Sequence, residues 1–402
     1  MTAPRTARAR DESFLYVEDH AALRRVVSRL ADCERFGLDT EFVGERTYVP
    51  QLELIQVANE HVCAILDCRA LGNLDAFYPV LFDSRIEKVF HAGQQDLDLF
   101  FSLTQQVPTP LFDTQVAAAM VGYGAQPGYA PLVERILGVT VEKTETLTDW
   151  TRRPLTDAQL AYAADDVRHL LPLHDHLLRR LEELNRGSWV KEEFRRLETL
   201  AASGRAAPQE AYLRVRGRGG LRPKALAILR ELAAWRENEA RQRNKPRGSI
   251  LRDEILVEVA RRAPSTPATL RGLRGFHSRE LERSSEQILA TVERALALPK
   301  TEWPEPARPA AESAPTGLVE VLQAVLRVRA EQAHMAPALL ATTADLEALA
   351  ARHGTPAAEE LPILQGWRRK IAGEPLLRLL EGRAALRVDP GSLRLRIETH
   401  RS

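Results

Sequence analysis

At 402 residues, 44% of them hydrophobic and with a formal charge of +1, the chain is too long for one ordinary domain and too apolar to be disordered. Three cysteines, Cys33, Cys63 and Cys68, contain no C-x-x-C pair and give neither a disulfide framework nor a zinc knuckle, and no apolar run approaches membrane-spanning length. The small net charge hides a polarity: residues 1–200 hold 22 Lys/Arg against 31 Asp/Glu, residues 201–300 hold 21 against 11, and the remainder 13 against 13. An acidic half suited to metal ligands thus precedes a basic stretch suited to phosphate.

The first ten residues are basic and lack the apolar core of a signal peptide, so they read as a disordered tail of a cytoplasmic protein. Helical spacing follows over 20–30. Residues 36–42 form a strand, and 52–58 and 62–67, joined by a turn at 59–61, form two more, giving a three-stranded meander. Helix is expected over 77–82, a short strand over 88–91, and helices over 95–103, 115–121 and 130–137. A Thr156 N-cap opens a long helical stretch to 184, with Pro172 as the expected kink. A small, polar linker is expected at 201–208. Residues 224–243, 251–261, 267–273 and 279–298 then read as an all-helical module. Five prolines between 299 and 317 mark a second linker, and 317–386 is read as helical again, hinting at duplication of the first helical module.

In the strand 36–42, Phe-Gly-Leu-Asp-Thr-Glu-Phe, alternation puts Asp39 and Glu41 on one side. Burying two like charges together is costly, so a divalent cation is expected between them. Asp96, in His91-Ala-Gly-Gln-Gln-Asp96, falls where a strand passes into a helix, and a carboxylate near a helix N-terminus is favoured there. Asp98 projects from another side and is assigned to solvent. Tyr162 and Asp166, four apart, share one helical face kept slim by Ala163 and Ala164, whereas Asp165 points about 100° away. His91 has two readings, a substrate neighbour or a cap on its strand. Asp113 is read as structural or as a support to the metal-holding acids, and Trp150 and Trp235 as core aromatics. A basic series that includes Arg216, Arg218, Arg243, Lys245 and Arg247 surrounds the first helical module and suits phosphate contacts that position nucleic acid without reading its sequence.

Together, Asp39-x-Glu41, His91-Ala-Gly-x-x-Asp96 and Tyr162-x-x-x-Asp166 resemble the tyrosine-bearing branch of the DEDD exonuclease superfamily. Residues 42–57, Phe112-Asp-Thr-Gln115 and Thr148-Asp-Trp-Thr-Arg-Arg-Pro-Leu155 look like bacterial ribonuclease D. The module at 216–298, with Trp235-Arg-Glu237, Asn244-Lys-Pro-Arg247 and Asp253, resembles an HRDC domain. The resemblance implies an α/β RNase H-like exonuclease domain, a mixed sheet with helices over 12–200. It is followed by two small all-α HRDC-type domains, at 216–298 and, after a Pro-rich linker at 299–316, at 317–395.

It further implies a 3′–5′ exoribonuclease in which Asp39, Glu41, Asp96 and Asp166 bind two divalent ions, Mg²⁺ or Mn²⁺, with Tyr162 beside the attacking water. The expected product is a nucleoside 5′-monophosphate, and the expected partner is RNA with a free 3′ end, such as a tRNA precursor. No membrane and no obligate protein partner are expected. Two alternatives stay open: a DNA 3′–5′ exonuclease with the same carboxylates, and an inactive RNA-binding scaffold.

Overall fold

The computed structural model of the protein describes residues 14–141, 148–203, 208–273, 279–306 and 315–399. The expected N-terminal tail and the linker residues 204–207 and 307–314 lie outside these. The chain divides into two compact units, one formed by residues 1–42, 52–202 and 311–402, the other by 43–51 and 203–310.

The first unit is built on a six-stranded mixed sheet in the order β1-β4-β3-β2-β5-β6. Its strands are β1 (Leu15–Val17), β2 (Arg35–Val43), β3 (Gln51–Ala58), β4 (Cys63–Asp67), β5 (Glu87–Phe90) and β6 (Leu111–Asp113). β3 and β4 are antiparallel, while β1 runs parallel to β4, β2 to β5, and β5 to β6. The expected meander is therefore the centre of a wider sheet, extended by the short β1 and β6, whose three residues each carry too little pattern to be read. Alternation sorts the side chains: Ile55, Val57, Ala64 and Leu66 enter the large core with α1 (His20–Ala31), while Leu54 and Ile65 face a smaller cluster on the other side. Four fully buried phenylalanines, Phe36, Phe77, Phe90 and Phe100, contribute about 1.5–3 kcal/mol each.

The helices of this unit follow as α2 (Gln94–Thr104), α3 (Thr114–Met120), α4 (Tyr129–Leu137), α5 (Asp157–Arg168), α6 (Leu170–Glu183) and α7 (Gly187–Ala202). Thr156 caps α5 as expected, in a reciprocal capping box with Gln159. The long stretch breaks at His169 and not at Pro172. Pro172 lies in the first turn of α6, where its missing N–H has no intrahelical partner to lose, so it opens a helix without kinking one.

The second unit is helical, with α8 (Pro223–Gln242), α9 (Asp253–Arg262), the short helix Pro267–Arg271 and α10 (Arg279–Ala297). Leu229 and Leu232 of α8, Leu256 and Val259 of α9, Leu270, and Ile288 and Val292 of α10 share one core.

The chain then returns to the first unit. Leu322, Val325 and Leu326 of α11 (Thr316–Gln332), Leu346 of α12 (Thr343–Arg352) and Leu376 of α13 (Glu374–Leu380) belong to the same core as the sheet. The Trp189 and Trp367 rings stack at 5.5 Å between centroids. Glu193 on α7 accepts from Trp367 Nε1 at 3.0 Å and from the Arg368 guanidinium at 2.9 Å. Arg186 donates to the carbonyls of Met120 and Ala333. The helical reading of 317–386 fails beyond Leu380. Gly382, at φ +72, ends the helix, and β7 (Ala384–Val388) pairs antiparallel with β8 (Leu395–Thr399). Alternation in Leu386-Arg-Val388 and Leu395-Arg-Ile397 is a two-residue period, as a hairpin requires.

Candidate active site

Three elements bring the acids together, and each depends on a local feature of the sequence. β2 supplies Asp39 and Glu41. At Gly37 on the same strand, a Cβ would lie 3.1 Å from Leu170 Cβ and from the carbonyl of Val167, so the absence of a side chain lets the α5–α6 junction approach the strand. α5 in turn rests its small, fully buried Ala163 and Ala164 in one cluster with Leu54 of β3 and Ile65 of β4. Its next turn presents Asp166.

The third element is the turn from β5 into α2. Gly93 precedes the helix, where a Cβ would stand 2.7 Å from the Phe90 side chain, and Ala92 is in the left-handed region at φ +58. Asp113 secures this turn by accepting from Gly93 N–H at 2.9 Å while capping α3 through the N–H groups of Gln115 and Val116 at 2.8 and 3.1 Å. That is the structural part read for it.

Carboxylate oxygens of Asp39, Glu41 and Asp166 all lie within 4.8 Å of one another, each residue half-buried. Asp96 is buried beside them and accepts from the hydroxyl of Thr40. Among charges acting on Asp39, that of Asp96 is the strongest. The Tyr162 phenol is hydrogen-bonded to Asp166, and its ring stands 6.1 Å from that of Trp150, which is buried as a core aromatic should be.

So many carboxyls in so little water resist ionisation. Burial and then repulsion from Asp96, Asp166 and Glu41 hold Asp39 well above the ordinary carboxylate range. Burial, with Asp166 and Asp96, pushes Glu41 up to about 8. Asp96 and Asp166 rise to about 7, chiefly through burial, with Asp165 adding to the second. Such a cluster fits hard divalent cations, which prefer oxygen donors and repay the repulsion. Asp98 and Asp165 stand apart as read, Asp98 accepting from Gln94 at 2.9 Å and Asp165 paired with Arg168 at 2.7 Å.

His91 directly follows the last residue of β5. Thr114 spends its hydroxyl proton on the Phe90 carbonyl at 2.9 Å, so His91 Nδ1, 2.9 Å from the Thr114 hydroxyl oxygen, is the donor to it. The ring meets Tyr129 edge-on at 5.5 Å. Reading by sequence missed Tyr129 and Thr40. The half-buried Tyr129 phenol donates to the Asp165 carbonyl at 2.7 Å and accepts from His169 N–H at 3.3 Å, fastening α4 to the end of α5. The Gly128-Tyr129 junction carries no signal for that role, whereas Thr40, between the two acids, was in plain view.

The basic residues are elsewhere, in the helical unit. Arg247 makes a two-pronged ion pair with Glu237 at 2.5 and 2.7 Å, and Arg243 pairs with Glu239 at 2.5 Å. Lys245 and Arg216 are exposed and Arg218 half-exposed. Arg216 and Arg247, with Arg214, Arg236 and Arg252, line a cavity of about 450 Å³ that also holds Glu237, Asp253 and Glu254.

Comparison with known proteins agrees with this architecture. Residues 14–182 match a 3′–5′ exonuclease family, and residues 225–292 match the HRDC domain. A ribonuclease D of Nitrobacter hamburgensis is 39% identical over 383 residues, spanning 94% of this chain and 98% of the relative. The chain belongs to the ribonuclease D family. Ribonuclease D of Pseudomonas paraeruginosa is 38% identical over 91% of this chain and 97% of its own. The crystal structure of Escherichia coli RNase D, described as an exoribonuclease involved in structured RNA processing, matches with a TM-score of 0.81 at 31% identity, over 92% of this chain and 99% of that one. As a ribonuclease D the chain is a 3′–5′ exoribonuclease, a hydrolase of phosphodiesters that uses divalent metal. Among the described residues, no helix is long and apolar enough to cross a membrane.

Proposed function

We propose that Asp39, Glu41, Asp96 and Asp166 hold two divalent ions, Mg²⁺ or Mn²⁺, and that the chain removes 5′-mononucleotides one at a time from the 3′ end of structured RNA such as tRNA precursors in the cytoplasm. The observation that carries the reading is the convergence of Asp39, Glu41 and Asp166 within 4.8 Å, with carboxyls held far above their usual range. Bound there, the ions would supply a hydroxide nucleophile at neutral pH and neutralise charge on the departing 3′ oxygen.

The protein's own groups do the rest. Asp39, acted on by the charges of Asp96, Asp166 and Glu41, would be shared between the cations. Glu41 and Asp166 would help to hold the ion that activates water, and Asp96, tethered by Thr40, would help to hold the ion that steadies the leaving oxygen. Tyr162, hydrogen-bonded to Asp166, orients the attacking water; an ordinary phenol titrates near pH 10 and is a poor base at neutrality. His91, Arg216, Arg218, Arg243, Lys245 and Arg247 are candidate contacts to the RNA. Of these, Arg216, Arg218 and Lys245 are best suited to phosphate, because Arg243 and Arg247 already have carboxylate partners. We place the exonuclease domain at 12–200, an HRDC domain at 216–298, a linker at 299–316, and a second, HRDC-like module at 317–395 that has been absorbed into the catalytic unit's core.

The test is a time course on matched 3′-labelled RNA and DNA hairpins with single-stranded tails in Mg²⁺, with EDTA and Asp39→Ala as controls. Stepwise release of labelled mononucleotide from RNA, abolished by both controls, is expected. Faster release from DNA, or binding without release, overturns the reading.

A further inference from the structure

One residue, His169 at φ −102 and ψ 2, separates α5 from α6. In an unbroken helix its N–H would donate to the carbonyl of Asp165, four residues back. Here the Tyr129 phenol stands between the two. It accepts from the His169 N–H, which also points to the Val167 carbonyl, at 3.3 Å, and it donates to the Asp165 carbonyl at 2.7 Å. A side chain inserted into the backbone ladder is one of the few causes of a sharp break in a helix. Tyr129 reaches this place from another element, as the first residue of α4, with its ring edge-on to His91 at 5.5 Å.

The Asp165 carbonyl and the Asp166 N–H belong to one planar peptide unit, so the phenol holds the plane from which Asp166 springs. On the side facing the sheet, the Val167 carbonyl comes so near β2 that a Cβ on Gly37 would lie 3.1 Å from it. The last turn of α5 is therefore held from two sides, by Gly37 and by Tyr129, all within the first unit. Among the charges acting on the phenol, those of Asp166 and Asp39 are the strongest. Metal-holding carboxylates must keep their places to within about half an ångström. We propose that Tyr129 is a positioning residue for Asp166: its phenol, spliced between the Asp165 carbonyl and the His169 N–H, sets the last turn of α5 and with it the place where Asp166 meets Asp39 and Glu41. This inference rests on the reading of the four acids as a metal site.

The experiment uses the full-length chain and two readouts, Mn²⁺ binding followed by electron paramagnetic resonance, and kcat and KM on a short single-stranded RNA. Tyr129→Phe keeps the ring and removes the inserted oxygen, which lets the His169 N–H and the Asp165 carbonyl close on each other. It is expected to weaken Mn²⁺ binding roughly 10-fold, as loss of a supporting partner does at other metal sites, and to lower kcat while KM stays within about twofold. Tyr123→Phe is the control. It removes a different phenol contact to α6, 3.1 Å from His176 Nε2, and should leave Mn²⁺ affinity unchanged. Should Tyr129→Phe fail to fold, amide exchange in the wild type carries the test, because coupling between two sites is reciprocal: saturating Mg²⁺ should slow the His169 amide by about 10-fold, and more than it slows Gly138 at the far end of α4. Unchanged Mn²⁺ affinity in folded Tyr129→Phe, a loss confined to KM, an equal loss in Tyr123→Phe, or His169 exchange indifferent to Mg²⁺ overturns the inference. Asp39→Asn separates the two readings. Mn²⁺ binding retained by Asp39→Asn sinks the metal site and this inference with it, whereas binding lost there and intact in Tyr129→Phe sinks this inference alone.

Discussion

In the carboxylate site, Asp39, Glu41, Asp96 and Asp166 crowd one another, and burial and mutual repulsion hold their protons on. In the helical unit formed around α8, buried charge is matched within the protein: Arg236 pairs with Asp253 at 2.7 Å, Arg247 with Glu237 and Arg243 with Glu239 at 2.5 Å. Charge of one sign gathered without a partner waits for something from outside. Charge answered by its opposite holds a fold together. The contrast separates the residues that do chemistry from those that hold the helical unit together, although both groups look alike as letters.

The largest effect that tests this contrast comes from Asp39→Asn. Activity should fall by about 10³-fold or more, while the melting temperature of the metal-free protein rises, because a repelling group is gone. A variant that loses both activity and stability would show that Asp39 serves the fold.

Arg236→Ala should do the reverse. It leaves the Asp253 carboxylate without its guanidinium, costing about 2–3 kcal/mol in denaturant unfolding, with hydrolysis of a short single-stranded RNA little changed in the molecules that remain folded. A cost near zero would mean the helical unit does not depend on its matched charges.

A smaller effect is expected from pH. Carboxyls titrate near 4 when unfolded but near 7 to 8 for Asp96, Asp166 and Glu41 in the folded protein. The folded state therefore binds more protons across that interval. The metal-free protein has this contribution in full below about pH 4 and loses it as pH rises through 7 to 8. Melting temperature measured in EDTA should fall over that range, and Mg²⁺ should restore more of it at pH 8 than at pH 6. A flat profile in EDTA would deny the repulsion.

Smallest of all, Arg218→Ala, at a position without a carboxylate partner of its own among the described contacts, should reduce the salt slope of RNA binding by about 1 with little effect on kcat.

How far these assignments were legible varied with the kind of signal. The acids could be read because strand alternation and helical spacing are local rules: Asp39 and Glu41 share a side, Tyr162 and Asp166 share a face, and Asp98 and Asp165 fall away from both. Gly37 and Tyr129 could not, since their work is to let α6 approach β2 and to bind the end of α5, contacts between residues more than 30 positions apart. β1 stayed hidden in three residues and α7 in a polar stretch whose apolar face packs against Trp367. Pro172 misled because a proline early in a helix and one in its middle look the same until the break at His169 is known. The hairpin at 384–399 was lost by carrying a helical reading past Gly382.

The return of residues 315–399 to the first unit bears on how the chain folds as it is made. Leu322, Val325, Leu346 and Trp367 complete a core begun by Val17, Leu23 and Phe36, so a ribosome that has finished α7 has not yet delivered the side chains that cover it. At roughly 5–20 residues per second, the 166 residues from the end of α7 at Ala202 to Arg368 take about 8–33 s to synthesise. During that interval the second unit can gather its own helices, while Trp189 and Glu193 wait for Trp367 and Arg368 to emerge. The core of the first unit is thus closed only after the helical unit between its two stretches has been made, and the interval of greatest exposure to aggregation falls between α7 and the arrival of Trp367.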